Sequence, residues 1–180
     1  MTLISNGAFD RDANYVPITE NGLTMVSSKT LSANNTTAQV PIFTITGQVE
    51  VLALYGVVTT VLSSNITAAY WRLNDSTTTT DISLSTGTTI SSYAVGSIIT
   101  RRSIASVALN GANATTSIIQ DPVAATAPGM FMPFNVIQKT GNVTTNIEFV
   151  YSTTNTPATG AIDFYIGWIP LSPNSYVTAL

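Results

Sequence analysis

The sequence predicts an all-β protein: a jelly-roll-like antiparallel β-sandwich with an extended N-terminal arm. Three observations predict it. The chain is built from Thr, Ser, Asn, Val, Ile and Ala, with 44% hydrophobic and only 8% charged residues. Its apolar residues recur in short alternating runs, the period of a half-buried strand. Gly, Pro and Asn punctuate those runs, and no stretch combines a helical period with caps. Short strands at regular spacing indicate a sandwich or barrel. An immunoglobulin-type sandwich loses its Cys–Trp–Cys marker, because the chain has no cysteine.

A length of 180 residues suits one domain. A chain of this size buries about 70% of its unfolded surface and needs no disulfide to fold. Three regions are expected. Residues 1–39 form an arm, or early strands flanked by long loops; they hold Asp10, Arg11, Asp12, Glu20 and Lys29. Residues 40–172 form the sandwich, and residues 173–180 a tail.

Within the sandwich, Pro41–Thr46 alternates and Gly47 breaks it. Gln48–Leu62 is a long run with Val49, Val51, Ala53, Tyr55 and Val57 on one predicted face, and Leu52, Leu54 and Val58 on the other. Both faces are apolar, which places this strand centrally or against another subunit. Thr67–Leu73 is a further strand. In the Thr/Ser tract that follows, Ile82, Leu84 and Ile90 give an apolar alternation and Gly87 suits a hairpin turn. Ile98–Thr100, Ile104–Leu109 and Ser117–Gln120 read as short strands, with a turn at Asn110-Gly111. Pro133 confines Met130–Ile137 to an edge or a bulge, because proline has no N–H to give the ladder. After a turn at Thr140-Gly141-Asn142, Val143–Tyr151 and Ala161–Leu171 are expected to pair as a hairpin.

The chemistry that is missing narrows the function. Without histidine or cysteine the Ser-His and Cys-His nucleophilic devices are impossible, and zinc loses its best ligands. Carboxylates remain: Glu50, Glu148 and Asp163 lie in predicted strands, and the last two could meet across a hairpin. A glycosidase needs such a pair; pairing of Glu148 or Asp163 with Arg72, Arg101 or Lys139 at a subunit boundary, or simple exposure to solvent, is the plainer expectation. Asp10-Arg11-Asp12 and Asn74-Asp75 lack the ligand density of a calcium loop. Asn35, Asn65, Asn74, Asn113 and Asn142 open Asn-X-Ser/Thr triplets, which a Thr-rich chain produces by chance. A net charge of -3 with scattered cations offers no nucleic-acid surface. No signal peptide is read at Met1–Asp10, and no stretch reaches the roughly 20 residues of a membrane helix. No cofactor is expected. Few charges and many apolar residues point instead to surface covered by neighbouring protein.

One stretch carries a resemblance. Ile42-Phe43-Thr44-Ile45-Thr46-Gly47-Gln48-Val49-Glu50-Val51-Leu52-Ala53-Leu54-Tyr55-Gly56-Val57-Val58-Thr59-Thr60 resembles a pattern of small virion proteins of tailed bacteriophages, departing from it at Gln48, where a second glycine is common. The resemblance covers about a tenth of the chain. It implies a capsid decoration (cement) protein or related accessory protein, a homotrimeric β-sandwich whose partner is the major capsid protein, located on the virion surface. It implies no catalytic residues. The expected oligomer or capsid interface comprises Val49, Val51, Leu52, Leu54, Tyr55, Val57, Arg101, Arg102 and Trp168. The competing expectation is a receptor- or carbohydrate-binding module of a head fibre or tail, with Tyr70, Trp71, Tyr93, Tyr151, Tyr165, Trp168 and Tyr176 as sugar-contacting candidates.

Overall fold

The computed structural model describes residues 23–83, 87–100, 110–112, 133–138 and 144–180. Among them the chain forms β1 (Leu23–Thr30), β2 (Thr37–Thr46), β3 (Gln48–Thr60), β4 (Ile66–Asn74), β5 (Thr79–Asp81), β6 (Ile98–Thr100), β7 (Asn110–Ala112), β8 (Phe134–Ile137), β9 (Thr145–Thr153), β10 (Ala161–Pro170) and β11 (Tyr176–Ala179). The protein is an all-β sandwich of two antiparallel sheets. Sheet I has the order β1-β10-β3-β6-β7, with β8 also on β3; sheet II has the order β11-β2-β9-β4-β5.

β3 has one edge fully paired with β10. Its other edge is shared: Gln48–Val51 takes β8 and Tyr55–Val57 takes β6. β8 begins directly after Pro133 and, among the described residues, pairs with β3 alone.

Several expectations are corrected. β9 and β10 are no hairpin; they lie in different sheets, because the chain crosses the sandwich between Thr153 and Ala161. Asn110-Gly111 lies inside β7, paired to Ile99 and Thr100, rather than in a turn. The expected tail contains β11, which pairs with β2. Of the expected arm, Leu23–Thr30 is an early strand at the edge of sheet I, Leu31 is buried in the core, and β2 already begins at Thr37. Residues 1–22, and the strands and turn expected at Ile104–Leu109, Ser117–Gln120 and Thr140-Gly141-Asn142, lie outside the described residues.

The register of β3 holds the most consequential difference. Val51 pairs with Trp168 and Ala53 with Gly167, so Leu52 is an extra residue, a β-bulge. One inserted residue reverses the alternation beyond it. Val49 and Val51 therefore share the inner face with Leu54, Gly56 and Val58, while Ala53, Tyr55 and Val57 turn outward.

The two sheets meet on an aromatic cluster. Trp71 of β4 packs edge-on against Phe149 of β9 at 5.2 Å between ring centres and against Phe164 of β10 at 5.4 Å; Phe149 and Phe164 are 5.0 Å apart. Edge-to-face contacts of this kind add to the gain from burying the rings. Gly56 makes room for it, since a Cβ there would sit 3.1 Å from the Phe164 ring and 2.8 Å from Ile162. Tyr151, on the same face of β9, accepts the N–H groups of Ser32 and Ala33 on its hydroxyl at 3.0 and 3.1 Å, tying the β1–β2 loop to sheet II.

Gly160 ends the crossing from β9. Its φ of +120° is closed to side chains, and a Cβ would meet the Val61 carbonyl oxygen at 2.8 Å and the Leu62 Cα at 2.9 Å. Both obstacles are backbone and cannot rotate away. Gly160→Ala is expected to lower stability by about 1–3 kcal/mol, read as a lower urea midpoint at unchanged slope.

Candidate interaction surface

The outward face of sheet I follows from the Leu52 bulge. On β10, Ile162, Phe164, Ile166 and Trp168 face the core, so Asp163, Tyr165, Gly167 and Ile169 face out. The register then builds rows across the sheet. Val26, Tyr165, Tyr55 and Thr100 stand side by side. The row beside them is Thr24, Gly167 and Ala53, and the row on the other side is Ser28, Asp163, Val57 and Ile98. A bulky aromatic ridge thus runs beside a shallow trough of small residues. The Tyr55 and Tyr165 rings are stacked at 4.9 Å and 8°. Val26 is 43% exposed, and Ile137, on the same face beside Gln48, is 65% exposed.

The Tyr55 phenol titrates above its ordinary value of 10.0, first because burial disfavours the phenolate and second because a charge on Tyr165 would repel it. Burial alone raises Tyr93. The unfolded chain releases these protons first. Their contribution to stability is therefore complete below pH 10 and is lost as pH rises through the raised values. The melting temperature is expected to fall above about pH 10, less steeply in Tyr55→Phe, where one such phenol is absent. A fall of equal steepness in both proteins would refute the assignment to Tyr55.

The expected interface residues separate into two groups. Val49, Val51, Leu54 and Trp168 are buried in the core and are not available to a partner. The bulge is the reason for Val49 and Val51; ordinary alternation against Tyr55 and Val57 turns Leu54 inward, as alternation along β10 turns Trp168 inward. Leu52, Tyr55 and Val57 are part-exposed. Arg101 and Arg102 lie outside the described residues. Val26, Gly167 and Ile169 were missed and Tyr165 was considered only for sugar contact, although the alternation Asp163-Tyr165-Gly167-Ile169 signals one common face.

The carboxylates do not form a catalytic pair. Ile147 and Phe149 point into the core, so Glu148 lies on the outer face of sheet II, on the opposite side of the sandwich from Asp163. Glu50 shares the outer face of sheet I with Asp163 but sits beside Ile169, six residues further along β10. At about 3.4 Å per residue that is roughly 20 Å, well beyond the ~5–9.5 Å of glycosidase pairs.

Glu148 belongs to a closed polar network. Arg72 Nε donates to Glu148 Oε2 at 2.7 Å, a second guanidinium nitrogen donates to Gln39, and Asn74 Nδ2 donates to Glu148 Oε1 at 2.8 Å. The Arg72 and Glu148 side chains are only 10% and 4% exposed. Arg72 is one of the partners expected for Glu148, but the pair is buried within one chain, neither at a subunit boundary nor facing solvent. Composition did not reveal Gln39 and Asn74 as its other partners, since only cross-strand register brings them there.

The remaining candidates are already engaged. The Asp75 carboxylate caps its own turn, accepting from Thr77 N–H, Thr78 N–H and Thr78 Oγ1 at 2.9, 2.6 and 2.8 Å. Among the described residues no group of three or more His, Cys, Asp or Glu is arranged to hold a metal ion; Asp10 and Asp12 lie outside them. Asn65 Nδ2 donates to the Thr154 and Thr156 carbonyls, and Asn74 Nδ2 to Glu148, so neither amide is free. Of the aromatic residues considered for sugars, Trp71, Tyr151 and Trp168 are buried. Tyr165 has a ring face occupied by Tyr55.

The chain matches no family model, no curated protein and no solved structure.

Proposed function

We propose that this chain is a structural virion protein that decorates and stabilises a bacteriophage capsid by bridging capsomers, as a homo-oligomer, with a trimer favoured, and without catalytic activity. The observation that carries this reading is the outer face of sheet I. An aromatic ridge beside a small-residue trough, on a scaffold this poor in charge, suits a broad contact with another protein. The phage-like stretch Ile42–Thr60 supports it further, because it supplies Tyr55 of the ridge and Val57 of the row beside it.

The finer fold assignment supports the same reading. Pairing is nested: β1 with β10, β2 with β9, β3 with β8, and β4 with β5. The ribbon so formed is rolled until β10 also pairs with β3 and β9 with β4. We read this nesting as that of a jelly roll, an architecture frequent in capsid and lectin domains. The mechanism is mechanical. Buried area that crosses a seam between capsomers must be re-exposed before they separate, and many repeated copies sum modest contacts into firm retention.

The test is imaging of source particles, and of their release from heat-stressed shells, with wild-type protein and with Tyr55→Asp and Val57→Asp. Wild-type protein is expected at regular shell positions, with both variants folded and retained at least about tenfold more weakly, as for central interface residues. A protein absent from particles, or monomeric at every concentration in sedimentation, sinks the proposal.

A further inference from the structure

We infer that β11 is a strap, opening and closing apart from the rest of the sandwich, that locks the two sheets together along one side. Among the described residues that side is bounded by β1, the outermost strand of sheet I, and by β2, which without β11 would be outermost in sheet II. Among the described residues β11 pairs with β2 alone, over Tyr176–Ala179 against Phe43–Thr46. The Leu180 N–H continues that ladder to the Ile42 carbonyl at 3.1 Å. The Leu180 carbonyl then crosses to the other sheet, where Ser27 Oγ and Lys29 Nζ donate to it at 2.8 and 2.7 Å. At the strap's other end Ser175 Oγ accepts the Gln48 N–H at 2.9 Å and bonds to Ser172 Oγ at 2.7 Å.

Between those two grips only Val177 is fully buried, while Tyr176 and Thr178 are exposed. Little apolar area opposes opening, so the end grips decide it; elements of this kind open well below the free energy of global unfolding. Opening bares the β2 backbone from Phe43 to Thr46 and leaves the Trp71–Phe149–Phe164 cluster untouched. A bared edge of this sort accepts another extended segment, so the Ser27–Lys29 grip governs whether that edge is closed. The inference is independent of any place in a virion.

Hydrogen exchange followed residue by residue tests it, in wild type and in Ser27→Ala/Lys29→Met. Loss of the grip is expected to speed exchange of the β11 and Leu180 amides roughly tenfold or more, the scale of one neutral and one charged hydrogen bond, with β9 and β10 unchanged. In wild type under low denaturant, β11 is expected to open with a shallower denaturant slope than the core strands, a reading that stands even should the variant not fold. Unchanged β11 exchange in the variant, equal acceleration of β9 and β10, or a wild-type slope equal to that of the core overturns the strap.

Discussion

Trp71→Ala is expected to cost about 3–5 kcal/mol, the range for deleting a large buried aromatic. Trp71 is wholly buried, and its ring meets Phe149 of its own sheet and Phe164 of the other. Deletion therefore opens a cavity where rings from both sheets converge. Gly56 already leaves the Phe164 ring seated against β3, so the surrounding strands have little freedom to close the gap. Against the ~5–15 kcal/mol that holds a typical domain together, the loss shows as a large drop in urea midpoint. Trp71→Phe separates the causes. Among the described residues the indole Nε1 has no hydrogen-bond partner, so phenylalanine gives up no such bond and keeps most of the packing. Its expected cost is under about 2 kcal/mol. Equal losses in both variants would show that the site demands the full indole shape instead.

The second large effect is expected on the opposite side of sheet II. Glu148→Leu removes the carboxylate that faces a guanidinium with little access to water. Breaking a buried pair from one side costs about 3–5 kcal/mol, because the surviving charge stays desolvated. Asn74 also loses the acceptor of its amide. The double variant Arg72→Met/Glu148→Leu is expected to regain most of that loss, since two apolar side chains of similar volume carry no stranded charge. A double-mutant cycle reads the coupling directly. Additive single effects would mean that water reaches Arg72 well enough for the pair to matter little.

The bulge at Leu52 shows where reading a chain by alternation stops. The apolar period over Gln48–Leu62 is legible, and so is the two-sided apolar character of the strand. Alternation alone carries Val49 and Val51 onto the same face as Tyr55 and Val57. The extra residue separates them, and only the register against Gly167 and Trp168 reveals it. The same limit explains the supposed hairpin. Val143–Tyr151 and Ala161–Leu171 look like neighbours, but the intervening segment crosses from one sheet to the other. Glu148 and Asp163 are parted with them. Pro133 worked the other way: its missing N–H is a local fact, and the strand stops short of it, beginning at Phe134.

By itself the sequence determined the all-β class, most strand positions within a few residues, and the exclusion of imidazole and thiol chemistry. Each of these is local: β-branched residues with period-two patterning favour extended backbone, and a residue type is present or it is not. Tertiary structure alone decided the strand order, the face on which Tyr55 lies, the partners of Glu148 and the role of residues 176–179 as a strand. These depend on hydrogen-bond register between segments up to about 150 residues apart, which no window along the chain contains.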